Sequence, residues 1–495
     1  MMRKSRLILV CLLMIITILG PAQSAIAETY NYNFYTYSYD YFGNELQSPD
    51  AYTAEDLLLG SSLGIGDFKN PTGLFVKDDY IYIMDSDNNR IVVVDKSFHL
   101  IKEITSVLNN GAEDALAKPM DIFVTDQGDM YICDTGNYRI LHTDKDLNLI
   151  KVYTKPEDET ILADADFIPK KCVVDTSGRL YLLAGNVNKG FMEFDAQGEF
   201  TAYVGANPVK ASLFEVLKKR LMTKEQRSRM VSFVPTEYSN IAIDNENFLF
   251  ATTTTFGGGD IGRNGKIKPI RKLNTLGEDV LIRNGYEDPI GDYYWGDGGD
   301  ISGPSRFEDV TAMDNDTYFA IDRVRGRVFG HDFQGNLLYA FGGIGNKKGY
   351  FLYPVAIEHM GNDLLVLDNR SAALTRFTLT EYGAMINEGL SLYKEGRYEE
   401  SADYWQQVLR LNGNYDLAYI GIGRSLLRQG HYKEAMRYFE SRRDTKNYSK
   451  AFTEYRKEWV EENIGWLVGG VVTLFVLPLI IKLIKKLVKG GAHQS

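Results

Sequence analysis

Three observations predict a mainly β fold, a six-bladed β-propeller, followed by a helical stack and one transmembrane helix. Between residues 51 and 380, sets of four short alternating apolar runs recur with turn residues between them. Such units cannot bury their apolar faces alone and close into a ring of blades. From residue 384 the apolar spacing becomes helical, and "GLSLYKEGRYEESADYWQQVLRLN" from Gly389 is echoed 34 residues later by "GRSLLRQGHYKEAMRYFESRRD" from Gly423. The stretch "IGWLVGGVVTLFVLPLII", Ile464 to Ile481, carries no charge and is long enough to cross a hydrocarbon core as a helix.

In chain order, residues 1–27 place Arg3, Lys4 and Arg6 before the apolar "LILVCLLMIITILG" and end in "AIA", the layout of a cleaved secretory signal. A Tyr-rich segment, 28–50, follows. At the other end, Lys482, Lys485, Lys486 and Lys489 lie in the tail 482–495, and such a cluster marks the cytoplasmic side of a span. The expectation is a single-pass protein of the cell membrane, N-terminus outside and C-terminus cytoplasmic. Net charge is −11 for the chain, −14 without the three leader cations, and about −18 once the four tail lysines are also set aside. That balance excludes nucleic acid as a partner. Cys11 lies in the leader, and Cys133 and Cys172 lie in strand-like runs, which predicts buried thiols and no disulfide framework.

The blades begin near Phe68, Lys118, Ile168, Pro235, Phe307 and Tyr353, and the last stops after three strands. "TAEDLLLGSSLGIGDFKNP" from Thr53 has a counterpart in "LLYAFGGIGNKKGYFLYP", which ends blade five. A strand over Ala54–Leu59 is therefore expected to complete blade six and to close the ring without an open edge. Asp85 and Arg90, Asp134 and Arg139, and Asp322 and Arg327 repeat at one place in three blades. A catalytic residue would occur once, so these read as structural charge pairs across the hairpin from second to third strand, about 0.2 to 1 kcal/mol each if exposed.

The pattern in "FKNPTGLFVKDDYIYIMDSDNNRIVVVD" resembles NHL-repeat propellers over Thr53–Thr380. That resemblance implies extracellular sensor domains, RNA- or protein-binding modules, or metal-dependent lactonases and lyases, so it leaves function open. The 34-residue helical period over 384–462, with Gly396 matching Gly430 and Trp405 matching Phe439, resembles the tetratricopeptide repeat (TPR). Two units are present with a capping helix, as a stalk or as a docking groove.

Three insertions, 206–234, 256–266 and 286–306, interrupt the repeat around blade four and fall on one face. The last holds Tyr293, Tyr294 and Trp295 beside Asp297 and Asp300, ligand-binding candidates whose aromatics either stack on a sugar or protein or fold back to order the loop. Its carboxylates are able to hold Ca2+ or another divalent cation, although the spacing departs from the helix-loop-helix calcium loop. The first insertion carries a basic patch, Lys218, Lys219, Arg220, Lys224 and Arg227, which is either a solvated face or a contact for an acidic partner.

No cofactor is predicted, and no nucleophile elbow, phosphate loop or metal-spaced pair is present. The expectation is a membrane-anchored extracellular binding or scaffold protein for protein or glycan interaction. The layout is similar to that of accessory proteins of Gram-positive carbohydrate uptake systems. The alternative is a metal-dependent lactonase or lyase of the NHL and gluconolactonase-like type.

Overall fold

The first strands of six antiparallel sheets contact one another in cyclic order around a central channel. The computed structural model describes residues 35–157, 166–185, 187, 189–205, 238–254, 256, 261, 267–292 and 303–491. Blades one, two and three are four-stranded, starting at Pro71–Lys77, Pro119–Val124 and Ile168–Val174 and ending at Leu100–Ile104, Leu149–Tyr153 and Phe200–Val204. Their second strands, such as Tyr80–Asp85, are buried almost throughout because blades pack on both faces, which is why they read as unbroken apolar runs.

Blade six closes as expected. Pro354–Met360, Asp363–Asp368 and Ala373–Leu379 are joined by Tyr52–Leu59, which pairs antiparallel with the third strand and sets Leu58 opposite Leu374. Tyr52 is fully buried, its ring 5.4 Å from that of Phe341 and 5.8 Å from that of Phe319.

Three features differ from expectation. Residues 28–50 are not a separate segment throughout: Thr36–Tyr39 and Glu45–Gln47 extend blade five, making a six-stranded sheet with Thr36–Tyr39 on Leu337–Gly342. Tyr37 drives this docking, since its buried ring meets Phe329 edge-on and lies under the Arg327 guanidinium. Blade four has three regular strands, Asn240–Ile243, Leu249–Thr252 and Ile270–Leu273. Beyond them the Val280 N–H donates to the Lys272 carbonyl (2.7 Å) and the Arg283 guanidinium to the Ile270 carbonyl (2.8 Å), so the edge is satisfied without a ladder. A small hairpin, Ser106–Asn109 with Ala112–Ala115, fills the crossing from blade one to blade two.

The chain leaves the propeller after a third strand and enters five helices: α1 (Glu381–Lys394), α2 (Tyr398–Leu411), α3 (Asp416–Arg428), α4 (Tyr432–Ser441) and α5 (Thr445–Gly491). Thr380 caps α1 by accepting the Gly383 N–H. Gly396 and Gly430 both stand at φ +85° in the turns that close α1 and α3, a conformation other residues resist. Gly389 and Gly421 approach Trp405 closely, and Gly423 approaches Phe439, so the repeat's small residues mark the helix crossings. The α1–α3 surface merges with the core of blades five and six through Tyr382, Ile386, Trp405 and Tyr415. Helix α5 starts in the stack, with Ala451 buried against Phe439, and continues unbroken through the apolar run. Among the described residues it is the one helix long and apolar enough to cross a membrane.

Candidate functional site

Two places gather chemistry: a polar ring in the channel and a groove between propeller and helices. The ring comes from one register position. Gly73, Asp121, Lys171, Asn240, Asp309 and Ala356 each pair with the residue two or three places before the second-to-third-strand turn: Met84, Cys133, Leu183, Thr252, Ile321 and Leu367. Residues two positions on point the same way along a strand, which adds Phe75, Phe123, Thr311 and Glu358. Phe75, Asp121, Phe123, Lys171, Asp309, Thr311 and Glu358 line a cavity of about 630 Å³ that opens on the face of the first-to-second-strand turns. The wall is polar on blades two to six and aromatic on blades one and two, where Phe75 and Phe123 sit 5.2 Å apart.

The Lys171 ammonium stands 3.7 Å from Asp121 and 3.8 Å from Asp309. Backbone donors hold these carboxylates: Cys172 N–H to Asp121 (2.9 Å) and Ile357 N–H to Asp309 (2.8 Å), each from the next blade. The Asn240 amide donates to Asp309, while its own oxygen is buried without a partner. Thr311 donates to Glu358 (3.1 Å) and shares a 2.8 Å contact with His359 Nδ1. Burial pushes the Glu358 carboxyl up to about 8, with Asp309 adding to it, and pushes Asp121 up to about 6 against the pull of Lys171. Lys171 is held above its ordinary value because Asp309 and Asp121 outweigh its own desolvation, so it is a charged ammonium at neutral pH.

The groove, about 740 Å³, lies between blade five with its N-terminal extension and α3 to α5. Arg424, Arg428, Arg443, Lys446 and Lys450 line it, against the carboxylates Asp444 and Glu454. Asp444 is occupied by the backbone N–H and side-chain amide of Asn447, and Lys446 reaches the Asn284 oxygen at 2.8 Å. Arg428, Arg443 and Lys450 are exposed. Tyr415 hydroxyl to the Leu338 carbonyl (2.8 Å) and Tyr286 hydroxyl to the Arg442 carbonyl (3.3 Å) tie the two walls together, and Lys394 pairs with Asp316 in a blade-five turn.

The repeated charge pairs hold in two blades of three. Arg90 Nε meets Asp85 at 2.7 Å and Arg139 Nε meets Asp134 at 2.8 Å. Both carboxylates are fully buried, so the figure for an exposed pair does not apply to them; each also accepts the backbone N–H of Lys69 or Ala117 at the crossing into its blade. In blade five the charges part. Asp322 accepts from Ser305 (2.7 Å) and Arg306 N–H (2.9 Å) and faces Arg325, while Arg327 turns to Asp292 at 3.7 Å. The cause is the N-terminal hairpin: Tyr37 and Tyr39 donate to Asp292 (2.8 and 2.5 Å) and bring a second carboxylate over Arg327.

The aromatic candidates Tyr293, Tyr294 and Trp295 with Asp297 and Asp300, and the basic patch of Lys218, Lys219, Arg220, Lys224 and Arg227, lie outside the described residues. So do the leader 1–27, all of 206–234 and most of 256–266. The ring and the groove were both missed by reading the sequence. The ring had a signal, a charged or amide residue at one repeat position of the first strand in four blades: Asp121, Lys171, Asn240 and Asp309. The groove had none, because its walls come from segments far apart in sequence, such as those of Asn284 and Lys446.

Residues 382–415 match the tetratricopeptide repeat family. No curated protein matches the chain. Among solved structures, virginiamycin B lyase from Staphylococcus aureus is similar at 13% identity and TM-score 0.40 over 66% of this chain and 100% of that one. A gluconolactonase from Xanthomonas campestris is similar at 11% and 0.35, over 67% and 96%. BamB from Moraxella catarrhalis is similar at 10% and 0.30, over 63% and 84%.

Proposed function

We propose that this protein is a membrane-anchored protein-interaction scaffold, and that the groove between its propeller and its helical stack docks an acidic, extended segment of a partner protein. The observation that carries this reading is a local inversion of charge: five cations against two carboxylates in one concavity, on a chain whose net charge is −11. Propeller and tetratricopeptide folds both serve protein interaction, and here they share one core, which favours a fixed groove over a loose stalk. The leader-like N-terminus and the lysines after Ile481 support an outward-facing body. A glycan at Tyr293–Trp295 and a place beside a carbohydrate uptake system are supported by the sequence alone.

The enzymatic alternative, a metal-dependent lactonase or lyase, needs a cation among the channel carboxylates. Asp121, Asp309, Glu358 and the free Asn240 oxygen are suitable oxygen donors, but the Lys171 ammonium already stands within 3.8 Å of two of them. A divalent ion beside it would have to compete with that fixed ammonium for the same carboxylates, so the donor set does not fit a resident metal.

Arg428→Glu with Lys450→Glu tests the scaffold reading, because both side chains are exposed. Protein affinity-purified from native membranes should lose its co-purifying partner on charge reversal, and wild type should lose it as salt rises. Retention of the partner by a stably folded double variant overturns the reading.

A further inference from the structure

Cys133 lies in the second strand of blade two and Cys172 in the first strand of blade three, and their side chains meet across the blade interface. They are 0% and 2% exposed. Their sulfurs and a carboxylate oxygen of Asp121 all lie within 4.8 Å of one another. Cys172 Sγ also reaches the Tyr131 carbonyl at 3.5 Å. These are the free cysteines of the described residues.

Two occupants of such a site compete. A soft metal ion would need two thiolates and a carboxylate in a dry interface, with the Lys171 ammonium 3.7 Å from that carboxylate and no fourth ligand among the described residues. Burial pushes the Cys133 thiol well up. At Cys172 the hydrogen bond from Cys133 favours the thiolate, yet burial and Asp121 leave that thiol raised as well. A disulfide needs no buried charge. It requires the sulfurs to approach across one interface, between residues 39 apart in sequence.

We propose that Cys133 and Cys172 are a dithiol that oxidises to a disulfide stapling blade two to blade three while the chain folds. One cysteine thiolate attacks a disulfide-bearing oxidant, forming a mixed disulfide and releasing one thiolate. The second cysteine attacks the mixed disulfide at the protein sulfur and releases the other. The protein loses two protons and two electrons, and the oxidant's disulfide becomes two thiols. Exchange happens before the blades close, because the finished interface admits no reagent. Afterwards the bond is shielded from reductants. The staple holds the backbone next to Lys171, whose neighbour Cys172 carries the N–H that fixes Asp121. This inference is independent of the docking reading.

The test is refolding of the full chain in detergent from denaturant, in either reduced and oxidised glutathione or excess dithiothreitol. Free thiols are then blocked under denaturing conditions without reductant, and the peptides are mapped by mass. The expected result in glutathione is one linked species joining the Cys133 and Cys172 peptides, 2 Da below the sum of the reduced pair, and a thermal midpoint higher by about 5 °C than in dithiothreitol. Cys133→Ala and Cys172→Val should each abolish the difference between the two conditions. Recovery of both cysteines as blocked thiols from the glutathione sample overturns the proposal. So does stoichiometric zinc bound by the reduced pair in place of the linked peptide.

Discussion

The Tyr415 hydroxyl donates to the Leu338 carbonyl across 2.8 Å, joining the start of α3 to the fourth strand of blade five in a fully buried contact. Together with the Tyr286–Arg442 and Lys394–Asp316 contacts, it holds the two parts that form the groove. Tyr415→Phe leaves that carbonyl without its donor at a cost of about 1–3 kcal/mol. Calorimetry should show a lowered midpoint, and limited proteolysis should cut first near residue 380. An unchanged midpoint with unchanged proteolysis would show that the stack is held by other contacts.

Arg139 makes a harsher prediction. It pairs with fully buried Asp134 and, through both terminal nitrogens, with Asp114 at 2.7 and 2.9 Å. Arg139→Ala strands a buried carboxylate and should cost about 3 kcal/mol or more in denaturant unfolding. Arg323→Ala, which breaks a half-exposed pair with Glu308, should cost under about 1 kcal/mol. Equal costs would contradict the structural role assigned to the repeated pair.

Blade six should depend on the N-terminal strand. A chain beginning at Asn70 loses Tyr52–Leu59 and the two strands added to blade five, exposing the edges of Ala373–Leu379 and Leu337–Gly342. It should aggregate or melt well below a chain beginning at Glu28, as read by light scattering on heating. Matching melting curves would rule out the closure.

These contacts show what the sequence made legible and what it did not. Repeats with period-two apolar runs announced the blades, and Ala54–Leu59 was recognisable as the missing strand because blade five carries its counterpart. Gly396 and Gly430 announced the helical turns because positive φ selects glycine. The Arg327 shift to Asp292 was not legible, since it depends on Tyr37, 255 residues from Asp292 in sequence. Nor was the pairing of Lys171 with Asp121 and Asp309, which come from three blades and meet only when the ring closes.

The ring gives a pH prediction. Glu358 has its folded value raised from 4.5 to about 8, so the folded protein binds a proton that the unfolded chain has released between those values. Its contribution to stability is therefore largest below the unfolded value and is lost as pH rises through about 8. The midpoint of wild type should fall between pH 6 and 9. Glu358→Gln, which keeps the shape without the ionisation, should fall less. A steeper fall in the variant would contradict the buried, proton-bearing carboxyl.

The most direct measurement of the docking claim is site-specific photo-crosslinking in native membranes, with a benzophenone amino acid at Lys450 or Thr453 in the groove and at exposed Leu108 on the hairpin between blades one and two. The account predicts one discrete protein adduct from the groove positions, suppressed by a deca-glutamate peptide and by Arg428→Glu, and none from Leu108. No groove adduct, or an adduct indifferent to both the peptide and the charge reversal, would contradict it.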